Sequence, residues 1–157
     1  MGKPTTTAPP ASFMARALTE AQAAAGRGEV PVGAVVVERQ SARILAADGN
    51  RIIERRDPTA HAEMLVIRRA AGELASERLV GCDLYVTLEP CPMCAQAISL
   101  ARIERLYYAA DDPKGGGVAH GPRIFAQISC HHRPEVYDGI QERRAVALLR
   151  DFFADRR

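Results

Sequence analysis

Residues 84–94 read Leu84-Tyr85-Val86-Thr87-Leu88-Glu89-Pro90-Cys91-Pro92-Met93-Cys94. Leu84 to Leu88 is a short run of branched and aromatic residues and predicts a strand. Pro90 to Leu100 predicts a helix entered through proline, which suits a first helical turn because it has no N–H to leave unpaired. Leu106 to Ala110 supplies a further strand. Upstream, Asp57-Pro58-Thr59 has the form of a helix start, with Asp57 or Thr59 as cap and negative charge at the positive end of the dipole. That helix carries Ala60 to about Ala75. Strand and helix patterns alternate through the middle of the chain. They predict an α/β sandwich with helices covering a central sheet.

The flanks extend the same pattern. Val32 to Val37 is a β-branched run that reads as a buried strand, and a second strand near Arg43 to Ala47 follows polar residues 38–41, so a hairpin joins them. Ser12 is placed to cap a helix from about Phe13 to Ala25, with Met14, Leu18, Ala21 and Ala25 on one face and Gly26 and Gly28 ending it. Residues 1–11, with their Thr and Pro, cannot bury enough surface to order themselves and read as a disordered tail. Asp111 to Gly121 is a glycine-rich loop, and Gln141 to Ala154 a final amphipathic helix. There is no internal repeat. A chain of 157 residues suits one domain, spanning 12–157.

Composition excludes more than it selects. Apolar and charged fractions of 47% and 25% are ordinary for a soluble globular chain. A net charge of +2 is weak evidence for a nucleic-acid partner. All the basic residues but Lys3 and Lys114 are arginine, which suits bidentate phosphate contacts but is equally explained by genome composition. No apolar run approaches a membrane span, and the N-terminus lacks the apolar core of a signal peptide. Four cysteines do not make a disulfide scaffold in a chain of this size. The compartment reads as cytoplasmic.

The chemistry concentrates at two helix starts, His61-Ala62-Glu63 and Cys91-Pro92-Met93-Cys94. Residues three apart share a helical face, so Cys91 and Cys94 can turn both sulfurs toward one metal. Helix N-termini favour the thiolates that zinc needs. With His61 the count is three protein ligands, which with a water is the catalytic arrangement, whereas structural sites close with four. Cys82 and Cys130 are the candidates for a fourth ligand, but neither has motif spacing to a partner. The open site is the expectation. Hydrolysis also needs a group that moves protons, and Glu63, two residues from His61, is placed for it. Alone, Glu63 would read as a first-turn carboxylate complementing the helix dipole.

The pattern of His-x-Glu followed by Pro-Cys-x-x-Cys is the signature of zinc deaminases of bases. The stretches Glu29 to Ala34, Asp57 to Glu63 and Leu84 to Cys94 closely resemble the bacterial tRNA-specific adenosine deaminases. Further likeness lies in Asp112-Pro113-Lys114-Gly115-Gly116 and in Leu148 to Phe153, so the resemblance covers nearly everything from residue 13 on. It implies a cytidine-deaminase-like three-layer α/β/α sandwich around a five-stranded mixed sheet, a homodimer, and conversion of the wobble adenosine of a tRNA anticodon to inosine. It implies one zinc per subunit on His61, Cys91 and Cys94, with Glu63 as proton shuttle. Asn50, a turn residue on sequence alone, would hydrogen-bond the base. Val32 would line the base pocket, and the Ala62 backbone would face the leaving amine or the oxygen carried by the zinc. Asp112 and Lys114 fall in the motif that resembles a substrate-contact loop.

The likeness weakens at Gly117-Val118-Ala119-His120-Gly121 and at Cys130-His131-His132-Arg133, where many relatives carry Gly-Ser-Leu and Asn-His-Arg. His131 and His132 are candidates for stacking on bases, or are simply exposed. Deamination of a free nucleobase or nucleoside, guanine or cytosine, stays open, because those enzymes use the same zinc kit. Arg143, Arg144, Arg150, Arg156 and Arg157, with Phe152 and Phe153, resemble the C-terminal helix of the tRNA enzymes. A non-catalytic zinc module that binds RNA is a third reading, disfavoured by Glu63 and the missing fourth ligand.

Overall fold

The β-branched run forms the inner strand β1, Gly33–Glu38, buried along nearly its whole length. Strand β2, Arg43–Gly49, returns beside it as the expected antiparallel hairpin. On the other side of β1 lies β3, Cys82–Leu88, also antiparallel to it. Strands β4, Arg105–Ala110, and β5, Glu135–Asp138, then follow in parallel register, giving the order β2-β1-β3-β4-β5. The computed structural model describes residues 10–156. Most of the tail expected at 1–11 lies outside the described residues, while Pro10 and Ala11 already belong to the first helix.

Helices cover both faces, which is why β1 reads as a continuous apolar run and not an alternating one. Val35, Val37, Tyr85 and Tyr107 point to one face and pack with Phe13, Met14 and Leu18 of α1, Pro10–Gly26, and with Ala145 of α5, Glu142–Ala154. Ala34, Val36, Leu84, Val86 and Leu106 point to the other. There they meet Val66 of α3, Ala62–Leu74, and Ile98 of α4, Pro92–Leu100. This is the three-layer α/β/α sandwich with a five-stranded mixed sheet. On the α1 face Tyr85, Tyr107 and Tyr137 occupy matched positions of β3, β4 and β5. Their rings stack at centroid separations of 4.5 and 5.0 Å.

Several boundaries differ from the sequence expectation, each for a local reason. Helix α1 starts at Pro10, so Ser12 sits inside the first turn instead of capping it. Asp57 and Thr59 do not cap α3. The Asp57 carboxylate accepts from the Thr59 backbone N–H and hydroxyl at 2.8 and 2.7 Å, closing a turn, and His61 takes the cap position. Helix α4 begins at Pro92, with Cys91 at its cap. A four-residue helix, α2, Ile52–Arg55, and a 3-10 turn, Ile124–Ala126, are too short to carry a periodic signal. Strand β5 is exposed throughout, so its residues show no apolar run, and only the resemblance implied a fifth strand. No described helix is long and apolar enough to cross a membrane.

Two glycines set how closely α1 lies on the hairpin. Gly33 and Gly49 are directly paired across β1 and β2. A Cβ on Gly33 would fall on the Ala17 carbonyl oxygen and 2.6 Å from the Ala21 nitrogen, and one on Gly49 would stand 2.6 Å from the Glu20 oxygen. These obstacles are helix backbone, which cannot rotate away. Gly33→Ala is therefore expected to destabilise the fold by at least the ~1–3 kcal/mol typical of overpacking, read as a lowered midpoint in urea; an unchanged midpoint would show that α1 can lift off the sheet freely.

Candidate active site

Helices α3 and α4 both begin at the same end of the sheet, beyond the carboxyl end of β3, where open α/β sheets usually hold their ligands. His61 and Cys91 occupy the two N-cap positions, and neither caps its own helix with its side chain. Their side chains turn to each other instead. His61 Nδ1 lies 3.7 Å from Cys91 Sγ and 3.6 Å from Cys94 Sγ. All three donor atoms fall within 4.8 Å of one another. Zinc–sulfur and zinc–nitrogen bonds of about 2.3 and 2.05 Å at a tetrahedral angle put N and S about 3.6 Å apart. The residues present fit a zinc ion.

Charge at the site follows from its burial. Hydrogen bonds from Cys94 and then His61 hold the Cys91 thiol down to about 4 against the cost of burial. Cys94 moves the other way, because the two thiols share one proton and Cys91 gives it up first. A bound cation would ionise both. The hydrogen bond with Cys91 raises His61. Burial pushes the Glu63 carboxyl up to about 7, and a divalent cation beside it would draw it down again.

His61, Glu63 and Cys91 open on a cavity of ≈ 230 Å³ lined also by Val30, Val32, Asn50, Leu88, Glu89, Asp112 and Gly115, while Cys94 is buried behind it. Asn50 spans the gap between the hairpin and α3. Its Oδ1 accepts the Ala62 N–H at 2.8 Å and its Nδ2 donates to the Val30 carbonyl at 3.2 Å. A carboxamide has two N–H groups and two lone pairs on oxygen, so one of each remains for a ligand. Ala62 is fully buried and does not line the cavity. Asp112 reaches the cavity wall, where its Oδ1 also accepts the Lys114 and Gly115 N–H groups at 3.3 and 3.0 Å. Lys114 is exposed beside it and does not line the cavity.

Other candidates separate from the site. Cys82 is buried at the start of β3, where burial pushes its thiol up to about 11. Cys130 packs 3.4 Å from the Ser99 hydroxyl. Neither joins the three-donor group. The two loop histidines divide: His131 is exposed, whereas His132 is tied to the Ile103 carbonyl at 2.6 Å and its own carbonyl accepts from Ser99 at 2.7 Å. Arg143, Arg144 and Arg150 are exposed on α5 outside the cavity, and Arg156 stacks 3.5 Å over the Phe152 ring. Arg157 lies outside the described residues.

Two buried glutamates went unnoticed in the sequence. Glu29 accepts the Ile53 and Glu54 N–H groups at 3.1 and 3.0 Å, capping α2 from a distance. Glu89 gathers the loop that follows β4. Both are 2% exposed. Their only signal was a glutamate set beside an apolar residue and a proline, in Glu29-Val30-Pro31 and Leu88-Glu89-Pro90.

The fold and this site define a zinc-binding deaminase. Residues 9–110 match the family model for the cytidine and deoxycytidylate deaminase zinc-binding region. The chain is 57% identical over 145 residues to a tRNA-specific adenosine deaminase of Agrobacterium fabrum, covering 92% of this chain and 94% of that one. It belongs to the tRNA-specific adenosine deaminase family. Among solved structures, a chain from studies of A-to-I editing by tRNA:A34 deaminases at the wobble position of transfer RNA aligns with a TM-score of 0.85 at 56% identity, over 88% of this chain and 99% of that one. A guanine deaminase of Nitrosomonas europaea aligns with a TM-score of 0.81 at 26% identity, over 98% and 89%.

Asn50→Ala should leave the Ala62 N–H buried without a partner. An orphaned buried donor costs about 1–3 kcal/mol, so a lower melting temperature with unchanged secondary structure is expected by circular dichroism. Wild-type stability in that variant would mean that α3 is held at its start by other contacts.

Proposed function

We propose that the chain hydrolyses adenosine to inosine at the wobble position of a tRNA anticodon, as a cytoplasmic homodimer. His61, Cys91 and Cys94 hold one zinc per chain, and Glu63 moves the protons. The observation that carries this reading is the meeting of a buried carboxylate with a three-donor group at one cavity, in a chain related to tRNA-specific adenosine deaminases through nearly its whole length. Zinc, when bound, supplies activation of the hydrolytic water near neutral pH.

The remaining work falls to the chain's own groups. The target base leaves its stack and enters the cavity, as a base must for chemistry on its ring. Val32 meets its apolar face, and Asn50 orients it with the N–H and lone pair left spare. Glu63 takes a proton from the attacking water, delivers it to the ring nitrogen beside the reacting carbon, and hands a further one to the departing amine. Asp112 accepts from a ribose hydroxyl and Lys114 meets phosphate, holding the flanking nucleotides. Homodimer formation draws support from Met93, Ala97 and Leu100. They recur at helical spacing along α4, with Met93 and Ala97 only partly buried and Leu100 60% exposed.

The second reading is deamination of free guanine, favoured by the likeness to the Nitrosomonas enzyme at a TM-score of 0.81. The two separate in one assay. Wild-type protein is expected to produce inosine in an anticodon stem-loop with adenosine at the wobble position. Efficient conversion of free guanine with the stem-loop untouched would overturn the tRNA reading.

Two variants test the assigned roles. Glu63→Gln should retain zinc and fold but lose at least the upper part of the roughly 10²–10⁴-fold that a general acid–base group contributes. Turnover within about tenfold of wild type would assign the proton transfers to another residue. Cys94→Ala should lose its zinc by elemental analysis, because two ligands remain where three are the working minimum; full zinc content there would remove Cys94 from the ligand set.

A further inference from the structure

Glu89 has no part in the roles assigned so far, yet it is the most heavily bonded side chain around the cavity. Its Oε1 accepts the Asp112 N–H at 3.1 Å and His120 Nδ1 at 2.7 Å. Its Oε2 accepts the Val118, Ala119 and His120 N–H groups at 3.2, 3.0 and 3.2 Å. A carboxylate offers about four lone-pair sites and, when ionised, only accepts. Five donors saturate it, and the His120 proton must sit on Nδ1. Glu89, Asp111 and His120 do bring donor atoms within 4.8 Å of one another, but no lone pair of Glu89 is left for a cation. Its role is to hold backbone.

The backbone it holds is the loop 112–120, which carries Asp112 and Gly115 to the cavity wall. That loop lies on Glu89 and on the first turn of α4 with no side chain between. A Cβ on Gly116 would collide with Glu89 Oε2, and one on Gly117 would stand 2.5 Å from the Pro92 nitrogen. The Gly117 N–H closes the contact by donating to the Pro90 carbonyl at 2.8 Å. Charge-assisted hydrogen bonds to a buried carboxylate thus add to the one apolar anchor of the loop, Val118, which packs against the core.

We propose that Glu89 is the positioning residue of the substrate-binding loop: by gathering the 112–120 backbone it fixes Asp112 and Lys114 for the RNA that flanks the reacting base. His120 completes the clamp. The role concerns binding and not the chemical step, and it rests on the tRNA reading above.

The test compares Glu89→Gln and His120→Ala with wild type on the anticodon stem-loop, with zinc content and backbone hydrogen exchange measured on the same preparations. In Glu89→Gln the new carboxamide would present N–H groups to N–H groups. Losing charged hydrogen bonds of this kind should raise KM by about tenfold or more, while kcat at saturation changes by less than about threefold. Zinc should stay at one per chain, and the amides of 118–120 should exchange at least about tenfold faster. His120→Ala should shift KM and exchange the same way by less. Its ring is 34% exposed, so this variant decides the matter if Glu89→Gln does not fold. A fall in kcat at unchanged KM, or unchanged protection of the loop, overturns the proposal. Wild-type protein that deaminates guanine and ignores the stem-loop would refute the tRNA reading instead. Loop exchange in the same variants would still decide whether Glu89 is the anchor.

Discussion

Two helices begin with residues that do not cap them, and the site depends on that exception. An N-cap side chain ordinarily accepts a hydrogen bond from its own first turn, which is why Ser, Thr, Asp and Asn dominate the position. Here the caps are His61 and Cys91, and both side chains face across the gap between the helices. Each helix gives up its local cap so that its first side chain can serve a shared centre. The positive ends of two dipoles then point at one place. The arrangement is tolerable because Cys91 and Cys94 can ionise there, with the Glu63 carboxyl beside them, and helix N-termini stabilise such anions.

The capping that His61 forgoes is supplied from elsewhere in the chain, and that supply ties the site to the fold. Asn50, just past β2, serves the first N–H of α3 while lining the cavity. Glu29 serves the start of α2, and Glu89, just past β3, serves the loop after β4. Buried polar groups with several good partners rigidify what they touch, and the same groups are costly if left half-satisfied. The cavity walls are therefore held by side chains reaching outward from strand ends, and the sheet transmits its rigidity to loops with little apolar content of their own.

What was legible in the sequence was whatever repeats or clusters. Val35 and its neighbours marked the buried hairpin, Leu84 to Cys94 marked a strand leading to a helix, and the His61, Glu63, Cys91 and Cys94 pattern marked the site. What was not legible depends on contacts between residues far apart in the chain. Asp57 looked like a cap because capping and turn-closing use the same short carboxylate, and only the position of Asn50 decides between them. Strand β5 escaped because an exposed edge strand has no reason to be apolar. Glu89 escaped because four of its five partners are backbone N–H groups, which have no letter in the sequence, and the fifth, His120, lies 31 residues away. His132 looked like a surface residue until the Ile103 carbonyl appeared beside its ring.

The column of Tyr85, Tyr107 and Tyr137 gives this protein an optical property of its own. The chain has four tyrosines and no tryptophan, so its near-ultraviolet spectrum belongs to tyrosine. Three of those four chromophores lie in continuous face-to-face contact, one on each of the three parallel strands. Transition dipoles at such separations couple, and the coupled band changes sign and shape when any ring slips. The outermost of them, Tyr137, sits on the exposed edge strand β5. Docking of that edge strand is thus written into the native circular dichroism of the unlabelled chain.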